Sequence, residues 1–221
     1  MIRIQLFPAP PHYDSEVRVP GRRFLARTPQ PSPREWQRHN YWKHIHGDLV
    51  HLYHGICAYC ASWMPETTPN PQMRSSVDHF VAKSTAPAQA YDWQNFRICR
   101  RRMNENKNDS VILDPTMVVN GWFQIDFDTF LIEANRGLKQ TQQDRIMGTI
   151  EQLDLNHSDY VGERLDVVRE YCLNNATFPI VKKRFPFIAS EMTRVSFDKN
   201  RKTRMRERFE QLAMRGPQVP Q

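Results

Sequence analysis

Residues 56–115 read ICAYCASWMPETTPNPQMRSSVDHFVAKSTAPAQAYDWQNFRICRRRMNENKNDSVILDP, and the rest of the chain is arranged around them. The decisive part is Val77-Asp78-His79-Phe80, where two chemically active side chains close an apolar, β-type run. Neighbours on a strand point to opposite faces, so both reach one site only where the strand gives way to a loop. The AKSTAPAQA that follows, with its small residues and proline, is such a loop. Asp78 offers a carboxylate oxygen suited to Mg²⁺ or Mn²⁺. His79 titrates near neutrality and can take a proton from water.

Asp92-Trp93-Gln94-Asn95-Phe96 leads through Ile98-Cys99 into Arg100-Arg101-Arg102-Met103-Asn104-Glu105-Asn106-Lys107. This predicts a short strand and then a short helix carrying Asn104 and Lys107 one turn apart. The amide oxygen of Asn104 can complete a metal site with Asp78, with waters and a phosphate filling the other positions, as magnesium prefers. By spacing alone, Asn106, Asn108 and Asp109 are rival ligands.

These residues resemble the HNH, or ββα-metal, nuclease family: Cys-x-x-Cys, Asp-His closing a strand, then Asn, then Asn-x-x-Lys on a helix. The match runs from about Cys57 to Asp109. CAYC, the DHF-x-x-K-S run at Asp78 to Ser84, YDWQN at Tyr91 to Asn95, and LDLN at Leu153 to Asn156 followed by Arg164 are similar to one subgroup of small bacterial HNH proteins. That subgroup includes the HNH subunit of Septu-type anti-phage systems, which acts with an ATPase partner. The resemblance implies an α+β, mostly helical single domain around a ββα-metal core, cutting DNA, double-stranded by expectation. His79 would be the general base, and Asp78 and Asn104 would hold one Mg²⁺ or Mn²⁺ ion. Asn95 would organise the loop bearing His79, and Lys107 with Arg100, Arg101 and Arg102 would contact the DNA backbone. For each arginine the alternative is a solvated helix face.

Many family members carry a second Cys-x-x-Cys that completes a four-thiolate zinc. Here Cys57, Cys60 and Cys99 are present, but Arg102 and Met103 stand where the fourth thiolate would fall. Zinc favours four ligands, and methionine is a poor one. A histidine such as His54 could complete the set; otherwise the site is vestigial and Cys99 packs in the core.

Outward from the motif, residues 1–32 hold six prolines and predict an extended arm wrapping the domain rather than a helix, the alternative being a segment disordered until a partner binds. Ser32-Pro33-Arg34-Glu35 is a capping box opening a helix whose Trp42, Ile45, Leu49, Leu52 and Tyr53 form one buried stripe ending at Gly55. The histidines along it are assigned no chemistry. WFQIDF at 122–127 alternates as a half-buried strand and turns at Asp128-Thr129 into a second. Helices follow from about Thr141 and Ser158, the latter with Val161, Leu165, Val168 and Cys172 on one face. A basic helix from about Phe197 ends near Gly216-Pro217. The expected segments are thus 1–32, 33–180 and 181–221.

The net charge of +7 is localised: residues 182–215 carry eleven Lys/Arg against four Asp/Glu, leaving twenty of each sign elsewhere. Such a tail suits a phosphate-backbone binder, a solvated face or a surface for an acidic partner. No apolar run approaches a membrane span, and the N-terminus has no secretory pattern, so a cytoplasmic protein is expected. Two other classes compete with a nuclease: a catalytically silent HNH-scaffold adaptor, and a zinc-ribbon-like structural module.

Overall fold

Six prolines do not keep the first 32 residues extended throughout. In the computed structural model, which describes residues 1–214, this stretch is irregular over the first dozen residues and again over 28–32. There Ile4 N–H bonds Pro115 O at 3.0 Å and Arg3 N–H bonds Asn120 Oδ1 at 3.1 Å. A π turn over Asp14–Arg18 then runs straight into helix α1 (Val19–Arg27). This corrects the expectation of an extended arm. Pro20 lacks an N–H and would crowd the carbonyl four residues back in a regular helix. The Val19 N–H reaches Asp14 O instead, five residues back, and the widened turn admits the ring. Burial of Tyr13, Val17 and Phe24 holds the segment down. Gly21 has no room for a Cβ because the ring of Tyr91 occupies that space.

Helix α2 (Pro33–Arg38) opens on the expected capping box: Glu35 N–H bonds Ser32 Oγ at 3.4 Å, and Ser32 N–H bonds Glu35 Oε2 at 2.8 Å. The continuous helix expected up to Gly55 is broken. His39 leaves α2 to stack on Phe24 at 3.8 Å, a 3₁₀ turn covers Tyr41–Ile45, and helix α3 (His46–Leu52) completes the stretch. Gly55, with φ of +68°, reverses the chain.

Strand β1 (Ser75–His79) pairs antiparallel with β2 (Phe96–Arg100), Ser75 opposite Arg100 and His79 opposite Phe96. Helix α4 (Arg101–Lys107) follows β2 without a linker, its first N–H bonded to Arg74 O at 2.8 Å. Strand, loop, strand and helix therefore come in the expected order.

The second hairpin joins β3 (Phe123–Ile125) to β4 (Ile132–Ala134). Its turn is held by the Asp126 carboxylate, which accepts from Asp128 N–H at 2.8 Å and Thr129 Oγ at 2.9 Å. Helices α5 (Gln140–Gln152) and α6 (Ser158–Cys172) begin within a residue of where periodicity put them. The LDLN segment and Arg164 turn out to be architectural. Arg164, buried, donates to Phe130 O at 2.6 Å, Leu155 O at 3.0 Å and Asn156 Oδ1 at 3.2 Å. Asn156 in turn bonds both backbone groups of Ile132, fastening the hairpin to α6.

Helices α7 (Phe178–Arg184), α8 (Pro186–Arg194) and α9 (Lys199–Met214) close the chain; the expected end at Gly216-Pro217 lies outside the described residues. Helix α9 buries Met205 and Phe209, and several of its cations are spent on the fold. Arg201 lies over Phe127 and Phe197, Lys202 sits 4.1 Å from the Tyr171 ring centroid, and Arg208 pairs with Asp128 at 3.1 Å. One contiguous core runs from Met1 to Phe209, so the three expected segments share it. The result is a single α+β domain, about half helical, with two small antiparallel sheets. No described helix is long and apolar enough to cross a membrane.

Candidate active site

The turn from β1 into its loop brings Asp78 and His79 to one cleft of about 530 Å³, which Asn104 on α4 also lines. Ser76, Lys83, Glu105 and Asn108 share that lining, together with Trp36 and Trp42.

His79 is buried, its ring perpendicular to Trp42 at 4.6 Å between centroids and close to Phe96 at 5.3 Å. Its Nε2 lies 3.0 Å from Ala90 O. A carbonyl can only accept, so Nε2 carries the proton and Nδ1 keeps its lone pair. Among the described residues, Nδ1 has no hydrogen-bond partner. Burial first, then the ammonium groups of Lys83 and Lys107, lower the imidazole pKa to about 3 against the contrary pull of Ala90 O, so the ring stays neutral.

Asp78 accepts a short hydrogen bond from the Tyr59 hydroxyl and an ion pair from Lys107 Nζ at 3.3 Å. Burial raises its carboxyl pKa while Lys107, Tyr59 and Arg97 pull it back. Tyr59, between the two cysteines, was not singled out from sequence; burial and the Asp78 charge push its phenol up and keep it a donor.

Asn104 Nδ2 donates to Ser76 Oγ at 2.8 Å and to Val77 O at 3.2 Å, which pins the amide against β1 beside Asp78. Among the described residues its Oδ1 accepts no hydrogen bond. A carboxylate and an uncommitted amide oxygen in one cleft are the donors a hard divalent cation takes, so these residues fit Mg²⁺ or Mn²⁺. Of the rival ligands, Asn108 lines the cleft; Asn106 lines a different hollow, and Asp109 accepts from Asn108 Nδ2 at 3.2 Å.

Asn95 does not line this cleft; it staples the loop behind His79. Its Oδ1 accepts from Val81 N–H at 2.7 Å, and its Nδ2 donates to Val81 O at 2.9 Å and Gln89 O at 3.1 Å. Phe80 N–H adds a bond to Asn95 O at 2.8 Å. The side chain thus spans the loop from just after His79 to just before Ala90, the acceptor of the His79 proton.

Lys107 and Arg100, expected to contact the DNA backbone, both lie inside the protein. Lys107 is fully buried, and besides Asp78 it donates to His79 O at 2.8 Å. Arg100 is fully buried as well, bonded to Glu163 at 2.5 Å and Trp63 O at 3.1 Å and lying over the Tyr160 ring. Arg102 pairs with Asp159 at 3.0 Å, while Arg101 is on the surface beside Glu105 at 2.8 Å. A charge taken from water needs a partner, and the fold supplies partners that lie far away in sequence.

Cys57, Cys60 and Cys99 are buried in the core, and Cys57 Sγ lies 3.8 Å from Met103 Sδ, so methionine takes up space a fourth thiolate would need. Burial raises the Cys57 and Cys99 thiols. Burial raises Cys60 too, but its bond with Cys57 and the Arg100 guanidinium outweigh this and hold it at about 6. His54, the other fourth-ligand candidate, is exposed at the end of α3. Among the described residues, no three His, Cys, Asp or Glu side chains are grouped to hold a metal ion.

Lys83 and Trp42 also line the cleft: in the sequence Trp42 reads as part of a core stripe, and Lys83, four residues past His79, as a member of the DHF-x-x-K-S run. The chain matches no protein-family model and no curated protein.

Proposed function

We propose that the protein is a metal-dependent HNH-type endonuclease hydrolysing DNA phosphodiester bonds. The observation that supports it is the convergence of Asp78, His79 and Asn104 on one cleft, with His79 Nδ1 making no hydrogen bond among the described residues. His79 Nδ1 takes a proton from a water, whose oxygen attacks phosphorus while the bond to the 3′-oxygen breaks. Asp78 and Asn104 would hold the ion, which when bound supplies charge neutralisation at the phosphate and the leaving oxygen. Lys107 and Tyr59 orient the Asp78 carboxylate, and Asn95 keeps the His79 loop closed. The resemblance to HNH proteins extends the proposal to a cytoplasmic role in anti-phage defence beside an ATPase partner.

Plasmid cleavage by purified protein in Mg²⁺, Mn²⁺ or EDTA, beside His79→Ala, tests this. The expected result is metal-dependent nicking or linearisation that falls by about 10²–10⁴ in the variant. Equal turnover by the variant, or none by folded wild type in either metal, would overturn the proposal in favour of a silent scaffold.

A further inference from the structure

Four titratable side chains line the cleft: Asp78, His79, Lys83 and Glu105. Three of them already have partners: Asp78 is paired with Lys107 at 3.3 Å, Glu105 with Arg101 at 2.8 Å, and His79 Nε2 lies 3.0 Å from Ala90 O. Lys83 differs. Among the described residues no carboxylate lies within 4.0 Å of its ammonium, and it makes no hydrogen bond. It is partly buried, with Nζ over the face of Trp42 at 5.5 Å from the ring centroid. The same indole stands against His79, so one aromatic side chain seats both the base and the cation. A partly desolvated ammonium with no carboxylate in contact is held at a cost that an entering anion offsets.

We propose that Lys83, seated on Trp42, is the phosphate-binding residue of this cleft and receives a non-bridging oxygen of the phosphodiester that His79 addresses. The inference rests on the nuclease reading and moves the expected backbone contact away from Lys107 and Arg100, whose cations are buried and paired. A phosphodiester carries one negative charge, which an ammonium lining the cleft without an ion-pair partner among the described residues can receive. A compact ammonium meets it as a point charge with three donors, needing no bidentate geometry.

The test is binding of a fluorescently labelled DNA duplex in EDTA, followed by anisotropy across a salt series, for wild type, Lys83→Met, Lys83→Gln and Lys83→Arg. Cleavage rates in Mg²⁺ are measured alongside. Both neutral variants should weaken metal-free binding by about tenfold at low salt, and the slope of log affinity against log salt should shrink by about one. Their cleavage rate should fall by about tenfold or more, while Lys83→Arg keeps most of both. If wild type cleaves and the neutral variants match it in affinity, slope and rate, the role of Lys83 falls and the nuclease reading stands. Equal losses in Lys83→Arg and Lys83→Met with an unchanged slope also overturn it, because packing on Trp42 rather than charge would then be responsible. A folded wild type that neither binds nor cleaves overturns both.

Discussion

Lys107→Met removes one charge and little else, since methionine keeps most of the length and apolar character of the stem. In the native protein that charge is fully buried, 3.3 Å from Asp78 Oδ1 and 2.8 Å from His79 O. At an effective dielectric near 20, attraction across such a gap is about 5 kcal/mol, and removing one member of a buried pair costs about 3–5 kcal/mol. Asp78 can escape part of that by taking up a proton, because burial has already raised its pKa. The sign follows. A carboxyl whose folded pKa lies above its unfolded value binds more protons when folded, so its contribution is present at low pH and lost as pH rises. The deficit of the variant should therefore be about 3 kcal/mol or more at pH 8 and shrink towards pH 5. Urea unfolding in EDTA measures it, with Asp78→Asn and the double variant completing a cycle. Each single change leaves a buried charge alone, so the double variant should be less destabilised than the two single costs added, by about 2 kcal/mol. Added Mg²⁺ should raise the melting temperature more in Lys107→Met than in wild type, because Asp78 then lacks its ion-pair partner. A cost under about 1 kcal/mol at pH 8, or strict additivity in the cycle, would refute the reasoning.

Three further outcomes are expected. Asn95→Ala deletes three loop-closing hydrogen bonds and should cost about 2–4 kcal/mol in urea unfolding. Hydrogen exchange at the Val81 amide should lose protection, and unchanged protection would contradict the staple. Gly21→Ala should lower the melting temperature by an overpacking cost of about 1–3 kcal/mol, although alanine favours a helix, because its Cβ meets the Tyr91 ring; a stabilised variant would refute that contact. His79 has its folded pKa depressed from the ordinary 6.5 to about 3, so the unfolded chain binds the proton first as pH falls. In EDTA, stability relative to His79→Gln should drop by up to about 1.4 kcal/mol per pH unit below pH 6.5, levelling off near pH 3. A pH-independent difference between the two proteins would show that His79 is not buried neutral.

The parts of this fold that could be read from the chain are those decided within a few residues. Ser32 and Glu35 announce the start of α2 because a cap is a local hydrogen-bond exchange. SSVDH and FRICR form the paired strands, and α5 and α6 start close to where their apolar periods place them. Asp78, His79 and Asn104 could be grouped from sequence because strand, loop and helix are consecutive, and the structure brings them to one cleft. The proline-rich start misled because φ restriction is local, whereas the burial of Val17 and the accommodating π turn are not.

The destination of each charge belonged to tertiary structure alone. Lys107 finds Asp78 across 29 residues and Arg100 finds Glu163 across 63, so no spacing rule marks either as interior. Arg164 likewise reads as a surface helix residue until Phe130 O and Leu155 O close on it. Lys83 is left without an ion-pair partner among the described residues because the cleft's carboxylates, Asp78 and Glu105, pair with Lys107 and Arg101. Side-chain type and order determined which chemistry the chain could carry. Which cations face the cleft and which are sealed beneath it was decided by packing, because desolvation and pairing depend on what the whole fold brings within a few ångströms.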